Sequence, residues 1–400
     1  IEGIKNEVKR IFDLDFEIDT IMQQDQITKN IVQTHIAQKA LGLYKEKEEE
    51  ADGPIKLGVL GPLSGEYSMY GVAVRDGALL AMEEINAAGG VLGRDLEIIA
   101  YDTEGAADKG VNAYNLLKDR DGIHALIGGT FSGVTLAIKE LAVPDNMPIL
   151  TPTATHPDVT LNAPNVFRAC YTDSYQGEVA AVFIDETLGK KKVAVLYNQE
   201  DAYSTGLAEA FKAEYAGRGT VVLDLAFAAA DTDFSSLLSQ IAASDAEAVF
   251  LPGYVAEVGV ILTQAKAAGL TIPFVGGDGW DGIEVDYATV AEGTYFGNHY
   301  AKTDPSDIIQ DFVASYTAEY SKAPNALGAL AYDAVYALVA AIEDADSLEA
   351  ADIVAALQAL EYNDAVTGAI KFDVNGDPIK AITVIQVVNG QHVVVKKVQG

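Results

Sequence analysis

Two short apolar runs in residues 124–158 each stop in small, hydroxyl-bearing residues. Ala125-Leu126-Ile127 ends at Gly128-Gly129, and Thr130, Phe131 and Ser132 follow. The second run ends in Thr151-Pro152-Thr153-Ala154-Thr155. Ser132 falls where a strand gives way to a helix. A helix start leaves backbone N–H groups unpaired and carries partial positive charge. The glycine pair lets a ligand approach the backbone closely. Thr153 and Thr155 repeat the arrangement after the next strand. Together these groups suit one small anion, most economically a carboxylate. Ser132 would serve equally well as a helix N-cap. A phosphate would be short of cations, because no Lys or Arg lies nearby in sequence.

The stretch "VGGDGWDG", residues 275–282, offers the opposite charge. Gly277, Gly279 and Gly282 spell G-x-G-x-x-G, but Asp278 and Asp281 sit inside the loop and would repel a pyrophosphate. No helix is expected to open directly after it, so a dinucleotide fingerprint is a poor reading. Asp278 reads better as a strand-end carboxylate that pairs with a cation. Trp280, the only tryptophan, is either packing or a cation–π wall. Anion donors on one side and a carboxylate on the other suit a zwitterion, an α-amino acid. Tyr70, Tyr203 and Tyr254 each follow an expected strand, where they could line a pocket.

Enzyme signatures are missing. G-x-S-x-G, H-E-x-x-H, G-x-x-x-x-G-K-[ST] and C-x-x-C do not occur, and the histidines are scattered. His156, beside Thr155, has no identifiable nucleophile or metal partner, so a rim or structural role is expected. "FDVNGD", residues 372–377, looks faintly calcium-like, but Asn375-Gly376 makes it a turn. Asp13, Asp15, Glu17 and Asp19 lack the Gly turn of a calcium loop and read as a solvated face. No cofactor or metal is expected.

The elements that must position these residues alternate regularly from Ile55. "IKLGVLGPL", "LEIIAYDT", "HALIGG" and "PILTPT" are strands, separated by helices around 74–85, 111–117 and 134–141. After a bridge at "VFRACYTDSYQG" the pattern restarts with "KVAVLYN", "TVVLDLAF", "AEAVFLPG" and "PFVGGD". Helices follow at 308–320, 327–342 and 351–360. A hairpin turning at Asn389-Gly390 ends the chain. This is an α/β fold with two parallel sheets, and ligands of such sheets bind at the carboxyl ends of the strands. Residues 1–53 differ. Helical spacing of Ile4, Val8 and Ile11, then the charge run "KEKEEEADGP", read as a helical appendage and linker. Such a segment fits a fusion, a self-association arm or a partner-binding helix.

Composition sets the bounds. The chain has 400 residues and a formal net charge of −32. Such a chain repels nucleic acid and acidic membranes. Cys170 is the only cysteine, so neither an intrachain disulfide nor a thiolate metal cluster can form. No run approaches 18 uninterrupted apolar residues, so no transmembrane helix is expected. No signal peptide is recognised. The start at Ile1 reads as a processed or trimmed chain, which leaves that absence without weight.

From about Ile55 onward the chain resembles the type I periplasmic solute-binding proteins of the branched-chain amino-acid (Leu/Ile/Val) class. The stretches that carry the resemblance include "IKLGVLGPLSGEYSMYG", "AMEEINAAGGVLGRDLEIIAYDTEG", "LIGGTFSGVT", "ILTPTATHPDVT", "FRACYTDSYQG", "DAYSTG", "GLTIPFVGGDGWDG" and "TGAIKFDVNGDPIK". The resemblance implies two Rossmann-like lobes joined by three crossovers, with 54–172 plus 301–380 as lobe 1 and 173–300 plus 381–400 as lobe 2. It implies a periplasmic or extracytoplasmic protein, compatible with lipoprotein-type anchoring, that delivers an amino acid to an ABC transporter permease. By motif position, Ser132 and Thr155 would bind the carboxylate, and Thr153, Thr155 and Asp278 the ammonium. Tyr203 and Tyr254 would close over the ligand, with Asp173 at the hinge edge. Tyr70, Thr130, Phe131, Trp280 and Tyr300 would line the side-chain pocket. Two rival readings share the fold: a sensory module working through residues 1–53, and a binder of an aromatic acid or amide.

Overall fold

The computed structural model describes residues 53–400. The helical appendage expected before Pro54, and the acidic stretch within it, lie outside these residues apart from Gly53.

In chain order the elements are β1 (Ile55–Gly61), α1 (Ser68–Ala87), β2 (Leu96–Asp102), α2 (Ala107–Asn115), β3 (Ala125–Ile127), α3 (Ser132–Asp145), β4 (Ile149–Thr151), β5 (Val166–Arg168) and α4 (Asp173–Val182). Next come β6 (Lys192–Asn198), α5 (Ala202–Tyr215), β7 (Thr220–Phe227), α6 (Ser235–Ala243), β8 (Ala248–Phe250), α7 (Val255–Ala267), β9 (Phe274–Gly276), α8 (Ile283–Ala291) and β10 (Tyr295–Asn298). The chain ends with α9 (Asp307–Tyr320), α10 (Ala326–Ala345), α11 (Ala350–Ala359), β11 (Glu361–Tyr362), β12 (Ile370–Lys371), β13 (Ile382–Val388) and β14 (Gln391–Val398).

Two main sheets result. The first is parallel, in the order β2-β1-β3-β4-β5. The second runs β14-β13-β10-β9-β8-β6-β7, parallel from β7 to β10 and antiparallel through β13 and β14. Their central strands are near-continuous apolar runs, because helices cover both faces; Ala125, Leu126 and Ile127 are fully buried. The hairpin between β13 and β14 turns at Asn389 and Gly390, both with positive φ (52° and 67°), as a two-residue primed turn requires.

The bridge after β4 is more ordered than its sequence suggests. It supplies β5, which completes the first sheet, and then the start of α4. The chain passes between the sheets at 169–172, 299–306 and 372–381. Cys170 lies on the first crossing and is buried. Helix α10 is, among the described residues, the one helix long and apolar enough to cross a membrane by length and composition. Here its apolar faces pack on α1, β3 and β4.

Candidate functional site

Strand β3 is short because Gly129 turns the chain out of the sheet with φ 87°. A Cβ there would lie 1.8 Å from Thr135 Oγ1, so only glycine fits. Thr130 follows with φ 29°, an uncommon conformation for a β-branched residue. Its hydroxyl donates to Leu60 O at 2.9 Å, and its carbonyl accepts from Thr153 Oγ1 at 2.5 Å. The two strand ends are thereby tied together. Helix α3 starts at Ser132, with Phe131 rather than Ser132 as its N-cap, and no side chain caps it. The alternative of Ser132 as a cap is thus not what this helix uses. Its hydroxyl instead accepts from His156 N at 3.3 Å. Thr155 Oγ1 is buried and makes no well-formed hydrogen bond in the protein; its weak contact with the Asp173 carboxyl only partly offsets the rise of that group's pKa.

These groups face a narrow cleft with about 20 Å³ of free space, lined by Tyr70, Thr130, Phe131, Ser132, Thr153 and Thr155 from one side. Tyr203, Tyr254, Asp278 and Gly279 line it from the other, and Leu327 from α10 completes the wall. The space holds little more than one water and is far below the roughly 300–1,000 Å³ of an open ligand pocket, so the walls are closed on each other here. Tyr70 reaches across it. Its hydroxyl donates to Gly279 O and accepts from Val255 N, both at 2.7 Å. Tyr203 Oη accepts from Gly279 N at 3.1 Å. Phe131 and Tyr254 lie 4.6 Å apart by ring centroid, and Tyr67 packs edge-on against both.

Asp278 is held before any ligand meets it. Gln176 Nε2 donates to its Oδ1 at 3.1 Å, and Gln176 Oε1 accepts from its N–H at 2.8 Å. His299 Nε2 lies 2.9 Å from Oδ2. Burial, then the negative charge of Asp278, push the Asp173 carboxyl well above the usual carboxylate range. Burial likewise pushes Glu257 up to about 7 and Asp201 up to about 6, against the backbone N–H bonds that each accepts. It also raises the phenols of Tyr70, Tyr203 and Tyr254, so they stay protonated.

Three expected site residues stand elsewhere. Trp280 is fully buried, and its Nε1 donates to Leu251 O at 3.0 Å. Asp278–Trp280 form one tight turn, which rotates the indole away from the side that presents Asp278. Its ring fills the space a side chain at Gly276 would need. It is packing, not a pocket wall. Tyr300 points away from the cleft and donates to Pro324 O at 3.3 Å, packed with Phe312 and Tyr316. The chain bends at His299 just after β10, so His299 reaches Asp278 from outside the cleft lining while Tyr300 packs on α9. Asp173 is buried at the start of α4, where its N–H donates to Thr155 O at 2.9 Å. It braces the Thr155 loop from behind the wall.

The glycine loop departs from its expected setting, because α8 opens directly after Gly282. Its charges remain those that repel phosphate. Asp281 accepts from Ala326 N at 2.5 Å. His156 is structural, its Nδ1 accepting from Asp158 N at 3.2 Å. Residues 373–376 form the expected turn, closed by Gly376 N donating to Asp373 O at 3.1 Å. Sequence reading missed Gln176, His299, Leu327 and Tyr67. Only Tyr67, two residues after Gly65 in the stretch that holds Tyr70, carried a usable signal.

A family model described as periplasmic binding protein matches residues 54–391. The chain is 35% identical over 309 residues to the Leu/Ile/Val-binding protein BraC3 of Rhizobium johnstonii, covering 76% of this chain and 83% of that one. Among solved structures it is similar to the branched-chain amino acid transporter substrate binding protein LivJ of Streptococcus pneumoniae in complex with isoleucine. That match has a TM-score of 0.82 at 30% identity, over 87% of this chain and 100% of that one. A solute binding protein of an ABC transporter from R. palustris, in complex with benzoate, matches with a TM-score of 0.80 at 26% identity, over 87% and 97%.

Proposed function

The chain belongs to the periplasmic binding protein family, and from that membership we propose that it is an extracytoplasmic solute-binding protein. It captures an α-amino acid with a hydrophobic or branched side chain between two closing lobes and presents it to an ABC importer. The lobes we propose are 54–172 with 301–380, and 173–300 with 381–400.

One observation carries the reading: opposite walls of one small cleft present opposite chemistry. On the first wall stand the start of α3, Ser132 and the Thr155 hydroxyl, which makes no well-formed hydrogen bond in the protein. On the second stands Asp278. The first suits a carboxylate and the second an ammonium. The neighbouring rings give apolar walls that a ligand side chain would meet once the lobes part. The protein binds and releases; no step of bond chemistry is assigned to it. Ligand favours the closed form by its differential affinity for that form, with the crossings as the hinge.

The test is a thermal-shift panel of the twenty amino acids, the matching acids without the amine, and the matching amines without the carboxylate. A ligand at a hundred times its Kd adds about 2.7 kcal/mol. In lobes of this size that is a rise of roughly 2–4 °C. Amino acids that shift the midpoint while their half-molecules do not support the zwitterion reading. The packed rings of Phe131, Tyr254 and Tyr70 favour a second reading, an aromatic acid. In that case benzoate would shift the midpoint and the amino acids would not.

A further inference from the structure

The carboxylate of Asp278 is set in place by two residues from outside its own loop. Gln176 comes from α4 and makes a two-bond contact to its Oδ1 and N–H. His299 comes from the crossing after β10, and its side chain is 2% exposed. Its ring is stacked on Tyr171 with centroids 3.9 Å apart and planes 18° apart. Tyr171 lies on a different crossing, between β5 and α4. The imidazole is therefore clamped in plane by one hinge segment while it belongs to another.

We propose that His299 is the positioning residue of the ammonium subsite. It acts through Asp278 and does not touch the ligand. The proposal rests on the reading of Asp278 as the ammonium partner. An ionised carboxylate offers about four lone-pair directions. Gln176 takes one on Oδ1, and His299 Nε2–H takes one on Oδ2. Both oxygens are thereby fixed, and the free lone pairs keep one direction, toward the cleft that Asp278 lines. An imidazole N–H to carboxylate bond is charge-assisted, so it holds the carboxylate in place more firmly than a neutral bond would. Asp173, the nearest other acid in this cluster, accepts from the same Gln176 amide at 3.4 Å. Burial and Asp278 favour its protonated form, so it does not compete for the ammonium. Nothing in the local sequence of the glycine loop supplies this orientation. It arrives from 21 and 102 residues away.

The experiment measures Kd by calorimetry for two pairs: L-leucine with 4-methylpentanoate, and L-alanine with propanoate. Wild type is compared with His299→Leu, which keeps bulk without a donor, and His299→Gln, which keeps a donor. The readout is the preference for amino acid over acid, which a purely structural role of His299 would leave unchanged. We expect H299L to lose about tenfold of that preference, the worth of a hydrogen bond to a charged group. Its affinity for the acids should stay within about twofold of wild type. H299Q should keep most of the preference. An unchanged preference in H299L, or equal weakening of acid and amino acid, overturns the proposal while leaving the ligand reading intact. A wild type that shows no preference in either pair overturns the ligand reading, and this inference with it.

Discussion

The phenol of Tyr70, on α1, and the backbone of Gly279, beyond β9, meet in a buried hydrogen bond of 2.7 Å across 209 residues of chain. The same oxygen accepts from Val255 N, the first N–H of α7, at 2.7 Å. One hydroxyl thus joins a helix of the first sheet to two backbone groups of the second. In the lobe opening proposed above this bond would break and its backbone groups would be solvated, which assigns the clasp to the closed form.

Tyr70→Phe keeps the ring contacts to Phe131 and Tyr254, at 5.6 and 5.3 Å, and removes only the clasp. On closure Gly279 O and Val255 N would then be buried without partners. We expect a loss of about 1–3 kcal/mol of binding free energy, read by calorimetry. Equal affinity in Y70F would mean that closure does not depend on this bond.

Asp278→Asn keeps the shape of the side chain and removes its charge. For an amine-bearing ligand the loss should be roughly 2–5 kcal/mol, because a buried ammonium would face a neutral amide. For the matching acid the change should be small or favourable. A loss of less than twofold for the amino acid would remove Asp278 from the ammonium role.

Thr155→Val should separate binding from stability. The hydroxyl makes only a weak contact with the Asp173 carboxyl and no well-formed hydrogen bond, and burying a poorly paired hydroxyl is unfavourable. Unliganded T155V is expected to be as stable as wild type or up to about 1 kcal/mol more so, by urea denaturation. Its ligand affinity should fall by about 1–2 kcal/mol. A variant that is destabilised and binds normally would show the hydroxyl to be structural.

Arg168 is fully buried, and its guanidinium holds together the loop that carries Thr155. Its Nε donates to Asp377 Oδ1 at 2.6 Å, and its terminal nitrogens reach the carbonyls of Ala154, His156 and Pro157. Arg168→Met leaves Asp377 and those carbonyls without their donor. We expect a stability loss of roughly 3–5 kcal/mol, measured by urea midpoint at constant m. A loss under about 1 kcal/mol would show that the loop holds itself.

Glu284, on α8, meets His392 Nε2 at 2.8 Å and Lys302 Nζ at 3.0 Å. Burial works to raise its pKa, but the bond and charge of His392, with Lys302, outweigh it and bring the value down to about 2. A carboxyl lowered in the folded state stabilises above its unfolded value near 4.3, and that stability is lost as pH falls toward 2. Glu284→Gln should therefore cost roughly 1–3 kcal/mol at pH 7. The gap to wild type should close between about pH 4.5 and 2. A gap that stays constant with pH would assign the loss to packing.

Much of the cleft was legible because it lies at strand ends. A run of apolar residues that stops at Gly128-Gly129 or at Thr151 declares both a buried strand and the point where its side chains become available. The positions of Ser132, Thr155 and Asp278 follow from that local fact. Two misreadings share one cause. Trp280 and Tyr300 lie within two residues of the cleft-facing Asp278 and of His299, respectively. A tight turn and a bend send neighbouring side chains to different surroundings, and nearness in sequence does not choose between them.

By itself, then, the sequence determined the two α/β sheets and the strand ends where a small zwitterion would be met. Periodicity and glycine placement are local properties, and local physics reads them out. Only the tertiary structure decided which groups orient Asp278, how Tyr70 clasps the two sheets and where Arg168 ties the Thr155 loop. Those contacts join residues far apart in the chain. Their partners are chosen by how α4, α7 and the crossings pack, and no short window of sequence contains that packing.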